Sequence, residues 1–488
     1  MSRHQTLIVA GAVALASLTA LAQQQQPPPA GTVVMKGRAP VNNEVLKINL
    51  PKPREADLSN GVHLMVLEDH RVPQVGFQLL IRGAGGYYDP PDIPGLAGFT
   101  ASLMREGTTA RPSAKISQDL DRLAASVTVG AGLSSPFATV SGSSLTEHLD
   151  TVLAMTADIL LNPSFTEEEI ARYKTRTRAQ LISQRSNPGF LAVEQFQRTI
   201  YGDHPASRVS PTPAALDALT RNALVEFHRA HYLPDHAVLA VAGDITIAEA
   251  QRRFEAALSG WHKGHTAAPA TADPAVVSGK TVLLVSRPGS VQTNLIVGTQ
   301  AIERTNPDYD ALIVANKVLG SGPASRLFMH LREQKGYTYG VGSGLSAQLY
   351  RGDWQASMAV RTDVTDPALT DLLDEIRQMR EVPVPARELA DAKRSLVSSF
   401  ALSLENPTAV LNNYVTLWIY KLPADYWDTY PQRIEAITTA DVQRVAQKYF
   451  APDRMQIVAV GDAAKVTPAL KKLGDVKTYD AEGKPIVP

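Results

Sequence analysis

The chain has 488 residues, with 48 acidic and 48 basic side chains and no cysteine. That length is too great for one ordinary core and predicts two or more domains. The charge balance argues against nucleic acid as the main partner, because phosphate binding needs a basic surface. The absence of cysteine excludes disulfides, thiolate zinc sites and a lipidated cysteine anchor.

The chain opens with Arg3 and an apolar or small run over residues 7–22, ending Ala20-Leu21-Ala22 before Gln23. This pattern predicts a cleaved signal over residues 1–22 and a periplasmic or secreted protein. No later stretch is apolar enough to span a membrane. Residues 23–44, rich in Gln, Pro and Gly, predict a disordered tether. Order is expected from Val45. Asn60-Gly61 marks a turn between strand-like runs. Val62, Leu64 and Val66, then Val75, Phe77, Leu79 and Ile81, alternate as half-buried strands do. Helical patterns follow over about 95–105, 146–160 and 167–184, the last two separated by Asn162-Pro163.

The chain also repeats itself. HYLPDHAVLAVAGD (231–244) and YFAPDRMQIVAVGD (449–462) share a helix end, a Pro-Asp turn, an apolar strand and a Gly-Asp turn, at an offset of 218 residues. Solenoid repeats are far shorter, so this period predicts two copies of one domain. Residues 260–280, rich in Pro, Ala and Thr, predict the linker between copies spanning 45–259 and 281–488. Strands adjacent in sequence favour an α+β fold, each copy a largely antiparallel sheet packed with helices.

Generic chemical motifs fail. Gly279-Lys280-Thr281 ends like a phosphate-binding loop, but Pro274 stands where that loop needs glycine. Residues 83–86 form a glycine cluster that predicts only a turn. There is no Gly-x-Ser-x-Gly elbow. His228 and His231 lie three apart on a helix without a carboxylate at ligand spacing, which predicts a surface or capping role. His262 and His265 fall in the linker, with the same expectation.

Two segments carry a resemblance. GLAGFTASLMREGT (95–108) resembles the active-site helix of the pitrilysin/insulinase peptidases, family M16, which includes the mitochondrial processing peptidase. That helix reads Gly-Leu-Ala-His-x-x-Glu-His and ends in Gly-Thr. Gly95, Leu96, Ala97, Phe99, Gly107 and Thr108 match the frame. Gly98 and Ser102 stand at the two histidines, and Ala101 at the glutamate. Positions i, i+3 and i+4 share a helix face. In the family that face carries two zinc-binding imidazoles and the carboxylate that activates water. FTEEE (165–169) matches the start of the family's next ligand helix and brings Gln180 to the third ligand, a glutamate in the family. The chain is thus expected to bind no metal, having lost both imidazoles, the base and the third ligand.

GSGPASRLFMHLREQKGYTYGV (320–341) resembles the segment whose Arg and Tyr, seven apart, contact substrate in the family. Arg332 and Tyr339 match, and the resemblance as a whole covers about 45–488. It implies a non-catalytic subunit of a heterodimeric metallopeptidase. Arg332 and Tyr339 would bind peptide substrate and steady its scissile carbonyl. Zinc would sit in a homologous partner chain with an intact His-x-x-Glu-His. The alternative is a peptide-binding or assembly protein with no catalytic partner.

Overall fold

The computed structural model describes residues 48, 50–264 and 269–486. The expected signal and tether, and His265, lie outside the described residues. Among the described residues twelve strands form two six-stranded sheets. The first holds β1 (Arg54–Asp57), β2 (His63–Glu68), β3 (Gln74–Arg82), β4 (Ser126–Ala131), β5 (Phe137–Leu145) and β6 (Ala237–Gly243), in the order β1-β2-β6-β3-β5-β4. The second holds β7 (Thr281–Ser286), β8 (Gln292–Gln300), β9 (Thr338–Ser346), β10 (Asp353–Arg361), β11 (Gln456–Gly461) and β12 (Val476–Tyr479), in the order β12-β7-β11-β8-β10-β9. Five strands keep the same order in both. The sixth differs: β1 runs antiparallel to β2, whereas β12 runs parallel to β7. Both sheets are mixed, because β6 and β11 return parallel to β2 and β7. Apart from these pairs and β12–β7, each sheet is antiparallel.

The first half carries α1 (Leu96–Met104), α2 (Ser113–Arg122), α3 (Leu149–Leu161), α4 (Glu167–Arg185), α5 (Pro188–Tyr201), α6 (Pro213–Ala218), α7 (Arg221–His231) and α8 (Ile247–Ala257). The second carries α9 (Tyr309–Leu319), α10 (Thr365–Glu381), α11 (Ala386–Ser403), α12 (Pro407–Tyr420), α13 (Tyr430–Ala436), α14 (Thr439–Tyr449) and α15 (Ala463–Lys471). No helix among the described residues is long and apolar enough to cross a membrane. The repeat is visible atom by atom. Thr220 and Thr438 cap α7 and α14 by accepting from the backbone of Ala223 and Asp441. Each helix then gives way to a proline turn and a buried central strand. Asp462 caps α15, whereas its counterpart Asp244 bonds His70 and Thr146.

The inner strands β2, β6, β7 and β11 are buried on both faces, and two helices change sides to make this possible. Leu64 and Val66 face their own half's core, while Met65 and Leu67 face α12 of the other half. In return α5 lays Leu191, Phe196 and Ile200 on Leu283, Val285, Val458 and Val460 of the second sheet. Both travelling helices start with the same grammar. An asparagine N-cap, Asn187 or Asn406, accepts backbone N–H groups ahead of a proline whose missing donor costs nothing at that position. Phe196 is fully buried, and β8 makes room for it at Gly298, where a Cβ would stand 2.6 Å from its ring.

The expected linker contains no helix or strand among its described residues. It is nevertheless tied down. Trp261 donates to the Tyr232 carbonyl at 2.8 Å. Tyr87 and His204 of the first half bond Ala272, and Gln300 of the second half bonds Ala275 and Val277.

Candidate functional site

The frame residues around the altered motif each have a structural task. Gly95 opens α1 with φ +107, a left-handed conformation suited to glycine, and a Cβ there would stand 2.9 Å from Pro211. Asp89 caps the helix from outside it, accepting from the N–H of Gly95 at 2.6 Å and of Ala97 at 2.7 Å. Phe99 is buried edge-on against Tyr173 of α4. Gly107 turns the chain at φ +144, and the Thr108 hydroxyl donates to Asp158 while accepting from Arg111. These tasks belong to the fold, so they persist whatever the helix carries on its chemical face.

Asp89 escaped the sequence reading because its partners lie six and eight residues away, beyond any local capping pattern. Burial pushes its carboxyl up to about 6, against the lowering effect of the two backbone donors and of Arg208.

On that chemical face the three positions differ in exposure. Gly98 and Ser102 are half-buried, but Ala101 is wholly buried, so the three positions do not form one open surface. The α1 backbone lies close to β4: a Cβ on Gly98 would stand 3.3 Å from the Ala131 carbonyl. Gln180 is exposed on α4, two turns beyond Tyr173, and neither it nor Ser102 makes a side-chain hydrogen bond among the described residues. A hydrogen, a methyl, a hydroxyl and an amide offer no imidazole, thiolate or carboxylate to a zinc ion. The family's metal therefore does not fit these residues. Among the described residues no group of three or more His, Cys, Asp or Glu is arranged to hold a metal elsewhere.

His228 and His231 are both half-buried. His228 hydrogen-bonds the Leu160 carbonyl at 2.7 Å in the last turn of α3, and His231 bonds the Gly83 carbonyl at 2.8 Å. Their rings stack on Tyr232 and Phe227. Burial lowers both pKa values, partly offset by those carbonyls, so both imidazoles favour the neutral form. Capping was half the expectation, and His228 fulfils it for α3.

Arg332 and Tyr339 are brought together. Arg332 lies in a π-helical turn, Phe328–Gln334, anchored by the fully buried Leu331. Such turns are rare and concentrate at functional sites. Gly336, at φ +61, then reverses the chain into β9. The pairing of β9 with β10 steps from Val341 opposite Met358 to Thr338 opposite Val360. Tyr339 and Gly340 therefore share a β-bulge on the edge strand, pinned where Thr338 donates to the Ala359 carbonyl at 2.7 Å. A bulge re-aims side chains, and this one leaves Tyr339 91% exposed. The Arg332 guanidinium sits 5.4 Å from the centre of that ring and 4.5 Å from Phe328, with Glu333 at 3.2 Å. The result is an outward-facing pair, a fixed cation and a phenol, suited to a carbonyl or carboxylate oxygen supplied from outside. No hydrogen bond, ion pair or ring contact among the described residues joins this pair to Gly98, Ala101, Ser102 or Gln180. The two groups lie beside edge strands of different sheets.

Comparison with known proteins agrees with this architecture. Residues 64–213 match the insulinase family, peptidase family M16, and residues 218–396 match the peptidase M16 inactive domain. An uncharacterised zinc protease of Rickettsia bellii is 25% identical over 81% of this chain and 94% of its own length. One of Bacillus subtilis is 23% identical over 81% and 95%. The solved structure of a peptidase M16 inactive domain from Pseudomonas fluorescens superposes with a TM-score of 0.78 at 26% identity, covering 84% of this chain and 98% of that one. A protease from Helicobacter pylori shares the fold, with a TM-score of 0.76 at 17% identity, covering 84% and 100%. The chain is a member of peptidase family M16.

Proposed function

We propose that this chain is the zinc-less subunit of a heteromeric M16 metallopeptidase acting on peptides. It supplies Arg332 and Tyr339 to a homologous partner that carries zinc on an intact His-x-x-Glu-His helix. The observation that carries this reading is the outward-facing Arg332–Tyr339 pair, held by a π-helical turn and a bulge, in a chain whose own α1 offers no ligand.

The chemistry follows from the two donors. A scissile carbonyl oxygen gains negative charge as its carbon becomes tetrahedral. Donors already in place bind that oxyanion more tightly than the ground-state carbonyl, and one such donor is worth roughly 10²–10³ in rate. The planar fork of the Arg332 guanidinium gives direction. Tyr339 adds a neutral hydroxyl. Neither activates water, so this chain alone has no catalytic residue.

The test is reconstitution with a homologous His-x-x-Glu-His chain and an unfolded reporter peptide. The expected result is activity in the mixture only, lost when Arg332 is replaced by Ala and restored in part by Lys. If no such chain associates and peptide still binds at Arg332 and Tyr339, the protein is instead a peptide-binding or assembly component. Export to the periplasm or beyond belongs to the same proposal and is tested by fractionating cells for the mature chain.

A further inference from the structure

The two halves also meet around a cavity of about 510 Å³. The exchanged helices α5 and α12 both end in it, contributing their last residues Tyr201 and Tyr420. The β4–β5 and β9–β10 turns close other sides, the latter with Tyr350. Among the described residues the lining holds a single carboxylate, Asp353, the first residue of β10. Asp353 is 2% exposed. Its Oδ2 accepts from the Tyr201 hydroxyl at 2.6 Å, and Gln197 also donates to it. Both partners are neutral. Arg208, the one cation in the lining among the described residues, is turned to the Gly86 carbonyl at 3.2 Å. No Lys, Arg or His pairs with Asp353 among the described residues.

A buried carboxylate is ordinarily paired with a cation or neutralised. Here the cation is missing, while space and aromatic walls are present. Tyr350 is fixed in advance: its ring stacks on Tyr87, meets His204 at 4.8 Å, and its hydroxyl donates to the Ser134 carbonyl at 3.2 Å. A wall that is rigid before binding loses little freedom when a ligand arrives.

We propose that this cavity binds a primary ammonium or guanidinium group, with Asp353 as its counter-ion and Tyr201, Tyr350 and Tyr420 as its walls. Desolvation pushes the Asp353 carboxyl up to about 6, so the group is still largely ionised at neutral pH, as a counter-ion must be. The site is separate from the substrate pair. It touches β9 at Ser346, and the seven residues back to Tyr339 span roughly 23 Å of strand. It therefore does not depend on the function proposed above.

Two sources carry this chemistry, a free diamine or a basic side chain of a peptide. Calorimetric titration of the full-length protein at neutral pH with cadaverine, with an N-acetylated lysine-containing pentapeptide and with its N-acetylated alanine analogue, which has no ammonium group, separates them. The expected result is saturable one-to-one binding of cadaverine or the lysine peptide and none of the analogue. Asp353→Asn should weaken it at least tenfold. Val193→Trp, at a half-exposed wall position of α5, should weaken it comparably by filling the space, and it decides the matter if the Asn variant does not fold. Preference for cadaverine identifies a free small cation, and preference for the peptide a basic side chain. Absence of binding by both probes at millimolar concentration overturns the proposal, as does binding that neither substitution alters.

Discussion

Replacing Phe196 with Ala tests whether the exchanged helices join the two halves into one folding unit. The ring is fully buried between α5 and the second sheet. Truncating a buried Phe to Ala costs about 3–5 kcal/mol, the upper end where neighbours cannot collapse into the hole. Here they cannot easily, because β8 already presents Gly298 beneath the ring and the Trp354 carbonyl is fixed by strand pairing. The converse change, Gly298→Ala, drives a Cβ to 2.6 Å from the ring and 2.5 Å from that carbonyl, against ordinary contacts near 3.5 Å. Overpacking of this kind costs about 1–3 kcal/mol. The two changes should couple: in the Phe196→Ala background the new methyl meets a hole instead of a ring, so its cost should fall by about 1 kcal/mol. Urea unfolding followed by tryptophan fluorescence and far-UV circular dichroism gives all three quantities. The wild type should unfold in one transition seen alike by both probes. Two separated transitions in the wild type, or a Phe196→Ala cost below about 1 kcal/mol, would refute the idea that α5 and α12 join the halves.

Three further expectations follow from named groups. Tyr339→Phe should leave the urea midpoint unchanged, since an exposed side chain contributes within about ±0.5 kcal/mol, yet lower the turnover of the reconstituted complex. Burial raises the Asp308 carboxyl, but donation from Lys448, Tyr449 and Arg444 outweighs it and holds the group down at about 2. The unfolded chain then takes up this proton first. The stabilisation from Asp308 is full above about pH 4 and lost as pH falls toward 2, so Asp308→Asn should lower the midpoint at pH 7 and flatten that acid limb. Asp89 has the opposite sign: its native carboxyl keeps a proton up to about 6, so its contribution is full below about pH 4 and lost as pH rises through 6. Asp89→Asn should flatten stability between pH 4 and 6 while weakening the cap on α1, checked by midpoints measured across that range.

Much of the fold was legible because its signals are local. The Pro-Asp turn, the apolar strand and the Gly-Asp turn lie within fourteen residues, and both copies adopt the expected conformation. The exchange of α5 and α12 was not legible. A helix apolar on most sides, such as PTAVLNNYVTLWIY, announces burial but not which sheet covers it. For the same reason the alternation Val62, Leu64, Val66 pointed to a strand with one buried face, although Met65 and Leu67 are buried too. At the candidate site, helix periodicity placed 98, 101 and 102 on one face but did not reveal that Ala101 faces inward. The Arg332–Tyr339 proximity followed from family spacing. Its physical cause, a π-helical turn followed by a bulge, depends on how β9 registers against β10, and that register has no local signature.

This chain is proposed to contribute substrate-binding donors and no zinc. The most direct test is cleavage of an unfolded peptide, with metal content determined, by the isolated chain and by its mixture with a homologous His-x-x-Glu-His chain. The expected result is no bound zinc and no chelator-sensitive cleavage by the isolated chain, and turnover in the mixture that falls by about 10²–10³ with Arg332→Ala. One zinc per isolated chain together with chelator-sensitive cleavage would contradict it.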